Sequence, residues 1–261
     1  MMITSLQNTK VKNVCALNGK QKLRNEEGLF IVEGKKMLEE CPAARVVEVY
    51  AIESFWKENS VFMERFDPSN CFMVSEAVLK QMSDVMTPQG ILGVIRQSRL
   101  TFEALVWERP SLFIALENLQ DPGNVGTIIR TAEAVNATGV FLSKGSVDIY
   151  NPKIVRSTMG SIFRVPIVEN VDLTQVVLTM KQKQVKVYAA HLEGSQFYDD
   201  FQYYTDTCFL IGNEGSGLTK TLTELASDRV KIPLLGQSES LNASIAAGVL
   251  LYEVIRQRRK K

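Results

Sequence analysis

Little in this sequence invites metal or redox chemistry. One histidine and four cysteines, Cys15, Cys41, Cys71 and Cys208, are spread through 261 residues without a CxxC pair, so His191 has no local partners for a zinc set. The cysteines read as reduced, buried thiols, and no metal is expected. No segment reaches about 18 consecutive apolar residues, and the amino terminus lacks the charged-then-apolar pattern of a secretory signal. The expectation is a cytoplasmic protein with no membrane partner. A net charge of one sign is missing too. Thirty basic residues against 29 acidic ones give +1, so only local clusters can speak of an acidic partner.

Two such clusters are present. The first 36 residues carry Lys10, Lys12, Lys20, Lys22, Arg24, Lys35 and Lys36, and the tail ends Arg256-Gln-Arg258-Arg259-Lys260-Lys261. Each is either a solvated face or a set of phosphate contacts. With 45% apolar residues the chain can build a globular core, and its length suits two domains. Residues 1–95 mix basic helical segments with short apolar runs at Leu29–Val32, Val46–Tyr50, Cys71–Val74 and Ile91–Ile95, the pattern of a small α/β module. Glu76 to Met86 has helical spacing, with Ser75 as its N-cap. The polar stretch 96–110 reads as a linker.

From Ser111 onward strands and helices alternate. Leu112–Leu116, Gly139–Leu142, Val185–Ala190, Thr207–Ile211 and Arg229–Ile232 read as strands. Helices are expected over Val125–Val135, Leu173–Lys183, Leu218–Ala226 and Asn242–Arg258. Such alternation implies an α/β fold, a parallel sheet with helices on both faces, and ligands of such sheets bind beyond the carboxyl ends of the strands.

Three polar loops fall at such ends. The first, Glu117 to Arg130, holds Asp121-Pro-Gly123, a turn that feeds a helix near Asn124. Asn124 as a helix cap and Arg130 as a surface charge is the plain alternative. The second, Gly212-Asn-Glu214-Gly215-Ser-Gly217-Leu218-Thr219, has three glycines in six residues and permits close backbone approach to a ligand. Leu218 stands where a nucleotide-triphosphate loop needs lysine, and no GxGxxG follows the first strand, which argues against both nucleotide classes. The third runs Ile232-Pro-Leu-Leu-Gly236 to Ser240-Leu241-Asn242 and opens a helix with small residues at Ala243, Ala246, Ala247 and Gly248.

In this order the loops resemble the three motifs of the SpoU (TrmH-like) family of RNA ribose 2′-O-methyltransferases, within the knotted SPOUT superfamily. The resemblance spans roughly Leu112 to Arg256. The family's first-motif asparagine and arginine fall on Asn124 and Arg130, the second-motif glutamate on Glu214, and the third-motif Ser-Leu-Asn on Ser240-Leu241-Asn242. It implies a deep trefoil knot in the domain of residues 111–261, and S-adenosylmethionine held largely by main chain near Gly212, Ile232, Gly236 and Leu241, with Leu192 and its neighbours Ala190 to Gly194 as a further wall. His191 is then near the site. Residues 1–95 resemble the RNA substrate-binding domain of such enzymes, which favours large-subunit (23S-type) ribosomal RNA as substrate. A transfer-RNA methyltransferase and a non-catalytic RNA-binding ribosome-assembly factor are the alternatives. The resemblance also implies a homodimer, with the closing helix at its interface, and a reaction in which Arg130 grips a phosphate, since a guanidinium is hard to deprotonate. Glu214 is expected to order the loops and Arg130.

Overall fold

The computed structural model describes residues 2–194 and 196–259. It divides into two compact units, Met1–Ser98 with Asp148–Phe163, and Arg99–Val147 with Arg164–Lys261.

The first unit runs α1 (Thr9–Gly19), α2 (Gln21–Glu27), β1 (Leu29–Glu33), α3 (Lys35–Glu40), β2 (Val46–Ala51), α4 (Glu53–Glu58), α5 (Ser60–Met63), β3 (Cys71–Met73), α6 (Glu76–Met82) and β4 (Ile91–Arg96). Its sheet has the order β1-β4-β2-β3, with β4 antiparallel to both neighbours and β2 parallel to β3. Val11, Leu17, Ile31, Tyr50, Val78, Met82 and Leu92 fill the core under it. Ser75 caps α6, its Oγ accepting from the Val78 N–H at 3.3 Å. That helix ends at Met82, four residues short of the stretch with helical spacing.

The segment 148–163, expected with the second half, belongs to this unit. Asp148 Oδ2 accepts from Arg24 Nε at 2.8 Å and Nη2 at 2.6 Å, and the Tyr150 ring lies 4.7 Å from that of Phe30. Arg24 also donates to the Leu17 and Asn18 carbonyls and is 3% exposed, so it holds the unit together and leaves the set of candidate phosphate contacts. Lys10 is engaged as well, paired with Glu48 and set over the Phe72 ring.

The second unit continues with β5 (Leu112–Leu116), α7 (Pro122–Ala134) and β6 (Gly139–Ser143). The chain then passes through α8 (Pro152–Ser157), in the first unit, and returns as β7 (Ile167–Val171), α9 (Leu173–Gln182), β8 (Lys186–Ala190), β9 (Gln196–Phe197), β10 (Thr207–Ile211), α10 (Lys220–Leu225), β11 (Asp228–Lys231) and α11 (Ala243–Arg258). The strands form one parallel sheet, ordered β7-β6-β5-β10-β8-β11-β9 and flanked by helices. Strands β5 and β10, buried at every position and apolar but for Thr207, sit inside it as continuous hydrophobic runs must. Phe113, Phe141, Val177, Val187 and Leu210 belong to a core cluster of this unit. Leu100, Phe102, Leu105 and Trp107 pack against that core, so most of the stretch 96–110 is part of this unit's packing.

The basic tail is also used internally. Arg258 donates to the carbonyls of Pro110, Ser111, Tyr203 and Thr205, and Arg256 donates twice to Glu253. Arg258 therefore closes the end of the fold, which removes it from the expected RNA contacts. Lys260 and Lys261 lie outside the described residues. Among the described residues no helix is long and apolar enough to cross a membrane, and no cluster of three or more His, Cys, Asp or Glu side chains could hold a metal ion.

Candidate functional site

The three loops meet at the carboxyl ends of β5, β10 and β11. After β5, Asp121 caps α7, its Oδ1 accepting from the Asn124 N–H at 2.8 Å, and Pro122 occupies the first turn, where a missing N–H costs nothing. Asn124 is thus inside the helix, 7% exposed, and its side chain is free for another task. After β10, the chain folds back on itself through Asn213 N–H to Gly217 C=O at 3.1 Å and the reciprocal bond at 2.9 Å. Asn213 Oδ1 gathers the N–H groups of Gly215 and Ser216, and its Nδ2 donates to the Asn118 carbonyl. Gly212 is obligatory here: a Cβ would sit 2.2 Å from the Gly217 carbonyl carbon and the Leu218 nitrogen, both backbone atoms. After β11, Asn242 caps α11, its Oδ1 accepting from the Ser244 N–H at 2.9 Å.

Asn124 ties the loops together. Its Oδ1 accepts from Asn242 Nδ2 at 2.8 Å and its Nδ2 donates to Glu214 Oε1 at 3.0 Å. Glu214 further accepts the main-chain N–H groups of Asp121 at 3.3 Å and Gln120 at 3.4 Å. Partial burial pushes the Glu214 carboxyl up, and the hydrogen bonds from Asn124, its own main chain, Asp121 and Gln120 outweigh it, leaving the group below its ordinary range. Three of the five polar motif residues expected to be catalytic, Asn124, Glu214 and Asn242, out of a set completed by Arg130 and Ser240, therefore form one hydrogen-bonded frame. Ser240 lines the cavity beside it, exposed and without a protein partner among the described residues. Arg130 is not bonded to Glu214, which corrects the expectation that the glutamate orders it. Six residues at 100° each turn it about 120° round α7 from Asn124. It is exposed, with no ion pair or hydrogen bond among the described residues.

Next to the frame lies a cavity of about 410 Å³, within the usual range for small-molecule sites. Of the expected ligand-binding residues Gly212, Ile232, Leu241 and Leu192 line it, and Gly236 does not, its loop carrying it away with open space round it. His191 lines it too. Along 234–241 no main-chain group takes part in a hydrogen bond among the described residues, so this loop offers unmatched N–H and C=O groups beside the apolar walls of Ile211, Leu234 and Leu241. Apolar walls for a flat ring, main-chain groups for its edge and the carboxylates of Glu214 and Glu239 for a cation fit S-adenosylmethionine.

Residue types alone did not single out Asn213, Gln120 or Glu117. Glu117, 7% exposed, accepts from the Thr219 N–H at 2.7 Å and its Oγ1 at 2.8 Å, fastening the β5 end to the N-cap of α10. A buried acid at a strand end was the available signal.

Comparison with known proteins agrees with this geometry. Residues 111–252 match the SpoU rRNA Methylase family, and residues 8–93 match the MRM3-like substrate binding domain. The chain is 33% identical to the 23S rRNA (guanosine(2553)-2'-O)-methyltransferase RlmP of Bacillus subtilis, over 97% of this chain and 98% of the relative. An AdoMet-bound rRNA methyltransferase from Sinorhizobium meliloti superposes with a TM-score of 0.86 at 30% identity, covering 98% of this chain and 97% of that one. The A. aeolicus TrmH/SpoU tRNA modifying enzyme matches with a TM-score of 0.52 at 26% identity, over 59% of this chain and 78% of its own. A family match over more than half its length, with the motif residues gathered into one frame beside a cavity, makes the chain a member of the SpoU rRNA methylase family.

Proposed function

We propose that this protein methylates a ribose 2′-hydroxyl of large-subunit (23S-type) ribosomal RNA, using S-adenosylmethionine. The observation that carries the reading is the Glu214–Asn124–Asn242 frame at the mouth of a nucleoside-sized cavity. The choice of ribosomal RNA is supported by the substrate-binding match over residues 8–93 and by the full-length likeness to a 23S rRNA enzyme. The transfer-RNA enzyme, by contrast, covers 59% of the chain.

When bound, S-adenosylmethionine supplies a sulfonium-activated methyl group. The chain's own residues do the rest by positioning. Gly212, Ile232, Leu234 and Leu241 hold the ligand and exclude water from it. Asn124 fixes Asn242 and Glu214 relative to one another, so that the β10 and β11 loops keep one geometry. Arg130, without a protein partner among the described residues, grips the phosphate beside the reacting ribose, the Ser240 hydroxyl accepts a hydrogen bond that orients the 2′-hydroxyl, and its proton passes to solvent as the methyl is transferred. The same reading includes a trefoil-knotted path for the last strands and α11, supported by family membership.

It also includes a homodimer through α11. Ile245 and Tyr252, 54% and 55% exposed, share a face with Gly248, where a Cβ would meet open space. Ala247, expected on that interface, is fully buried in its own subunit, because the 100° step of the helix turns it inward. Sedimentation of the active enzyme as a monomer would refute the dimer.

Primer-extension mapping of 2′-O-methyl sites after incubation with protein-free 23S-type and transfer RNA tests the substrate. A single stop in the ribosomal RNA is expected. Modification of transfer RNA alone would overturn the choice, and no methyl transfer to either would favour the assembly-factor alternative.

A further inference from the structure

We infer that His191 is a cofactor-recognising residue whose Nε2–H donates a hydrogen bond to the nucleoside half of S-adenosylmethionine. This rests on the methyltransferase reading above. His191 follows β8 directly and lines the cavity. Its main chain is pinned on both sides, the N–H donating to the Val230 carbonyl at 3.0 Å and the C=O accepting from the Gly194 N–H at 3.1 Å. Gly194 lets this turn press against β11, since a Cβ there would lie 2.8 Å from the Lys231 nitrogen. The ring is oriented as well: Nδ1 accepts the Glu193 N–H at 3.1 Å. A ring nitrogen that accepts is unprotonated, so the neutral imidazole carries its proton on Nε2. Among the described residues Nε2 has no protein partner, which leaves an oriented donor on a residue that lines the cavity.

Strand order says which part of the ligand it meets. Asn124 follows β5, Glu214 follows β10 and His191 follows β8, with β10 between the other two, and Asn242, which comes after β11, is brought back to the β5 side by its bond to Asn124 at 2.8 Å. The polar frame thus stands on one side of the cavity and His191 on the other. With the reacting methyl at the frame, the nucleoside extends toward β8. Charge agrees: the carboxylates of Glu214 and Glu239, also at the cavity, suit the cationic sulfonium and ammonium, while a neutral donor suits ribose oxygens and ring nitrogens.

The protein has one histidine, so every imidazole signal in ¹⁵N-labelled full-length protein reports residue 191. The free protein should show the Nε2–H tautomer. Saturating S-adenosylhomocysteine, or adenosine alone, should shift the Nε2 resonance, and methionine should not. An Nδ1–H tautomer, an unmoved resonance at saturation or a shift with methionine alone would each overturn the inference. By calorimetry His191→Phe, which keeps a ring without the donor, should weaken S-adenosylhomocysteine about three- to tenfold. His191→Gln should recover part of that loss, and a Phe variant binding as tightly as the wild type would also overturn it. If S-adenosylhomocysteine does not bind the wild-type chain at all, the cofactor reading fails and takes this inference with it. Binding with no response at His191 sinks the inference alone.

Discussion

Asn124 uses both ends of its amide, and on different loops: its oxygen holds Asn242 and its nitrogen holds Glu214. An aspartate there would set a carboxylate against Glu214, so the residue type follows from the neighbours. Glu214 in turn works as an acceptor of several N–H groups, which lower its titration below the ordinary glutamate range despite partial burial. A group depressed in the folded state adds stability that is present above its unfolded pKa, about 4.3, and is lost as pH falls through the folded value. The β10 loop should therefore stay ordered to below about pH 4.3. Amide exchange at Gly215 and Ser216, followed downward in pH, checks this, and loosening that begins well above that pH would contradict it. Among the described residues Arg130 has no such partners, which is consistent with the proposed grip on an RNA phosphate. Arg130→Lys keeps the charge and loses the two-pronged grip, so kcat should fall about a hundredfold with the pH optimum unchanged. Near-normal turnover with a displaced optimum would instead favour proton transfer by the side chain.

At the scale of elements, the sheet was readable where burial left one pattern. Leu112–Leu116 and Thr207–Ile211 stand residue for residue as expected, because a strand buried on both faces is a continuous apolar run bounded by turns. The two-residue β9 and the half-polar β7 carried no such signal. Helix α7 begins three residues earlier than its apolar spacing, since Asp121 and not Asn124 is the cap. The frame's members were legible through the motif pattern, yet the bonds among them were not: Asn124 and Asn242 are 118 positions apart, and their pairing depends on β5 and β11 ending at the same edge. The attachment of 148–163 to the first unit was hidden for the same reason, resting on an ion pair between residues 24 and 148. Loop geometry also explains why Gly212 tolerates no side chain. Gly212→Ala has to push rigid backbone away from a 2.2 Å contact, which displaces the Asn213–Gly217 turn and with it Glu214. Loss of S-adenosylhomocysteine binding in calorimetry, with the far-ultraviolet circular dichroism retained, is the expected result. Wild-type affinity would show the turn to be softer than its contacts imply.

For the whole molecule, an overall charge of +1 conceals how unevenly the cations are employed. Arg24, Arg258 and Lys10 are consumed by the fold, the first two by buried or carbonyl-rich surroundings and the third by Glu48. Lys12, Lys20, Lys22 and Lys36 remain exposed in the first unit, and the pairing among the described residues, Lys22 with Glu26 at 3.8 Å, is of the solvent-exposed kind that contributes little. These four are the exposed lysines of the amino-terminal basic cluster, in the part of the chain that matches a substrate-binding domain. Each phosphate contact releases condensed counterions, so log K should fall linearly with log salt, by about 0.7 to 0.9 per contact. A Lys20→Gln, Lys22→Gln double variant should therefore flatten the slope by roughly 1.4 to 1.8 in filter-binding titrations with 23S-type RNA. Its affinity for S-adenosylhomocysteine should be unchanged, because neither lysine lines the cavity. An unaltered slope would mean that the RNA is met by other cations, with Lys12 and Lys36 next to be replaced.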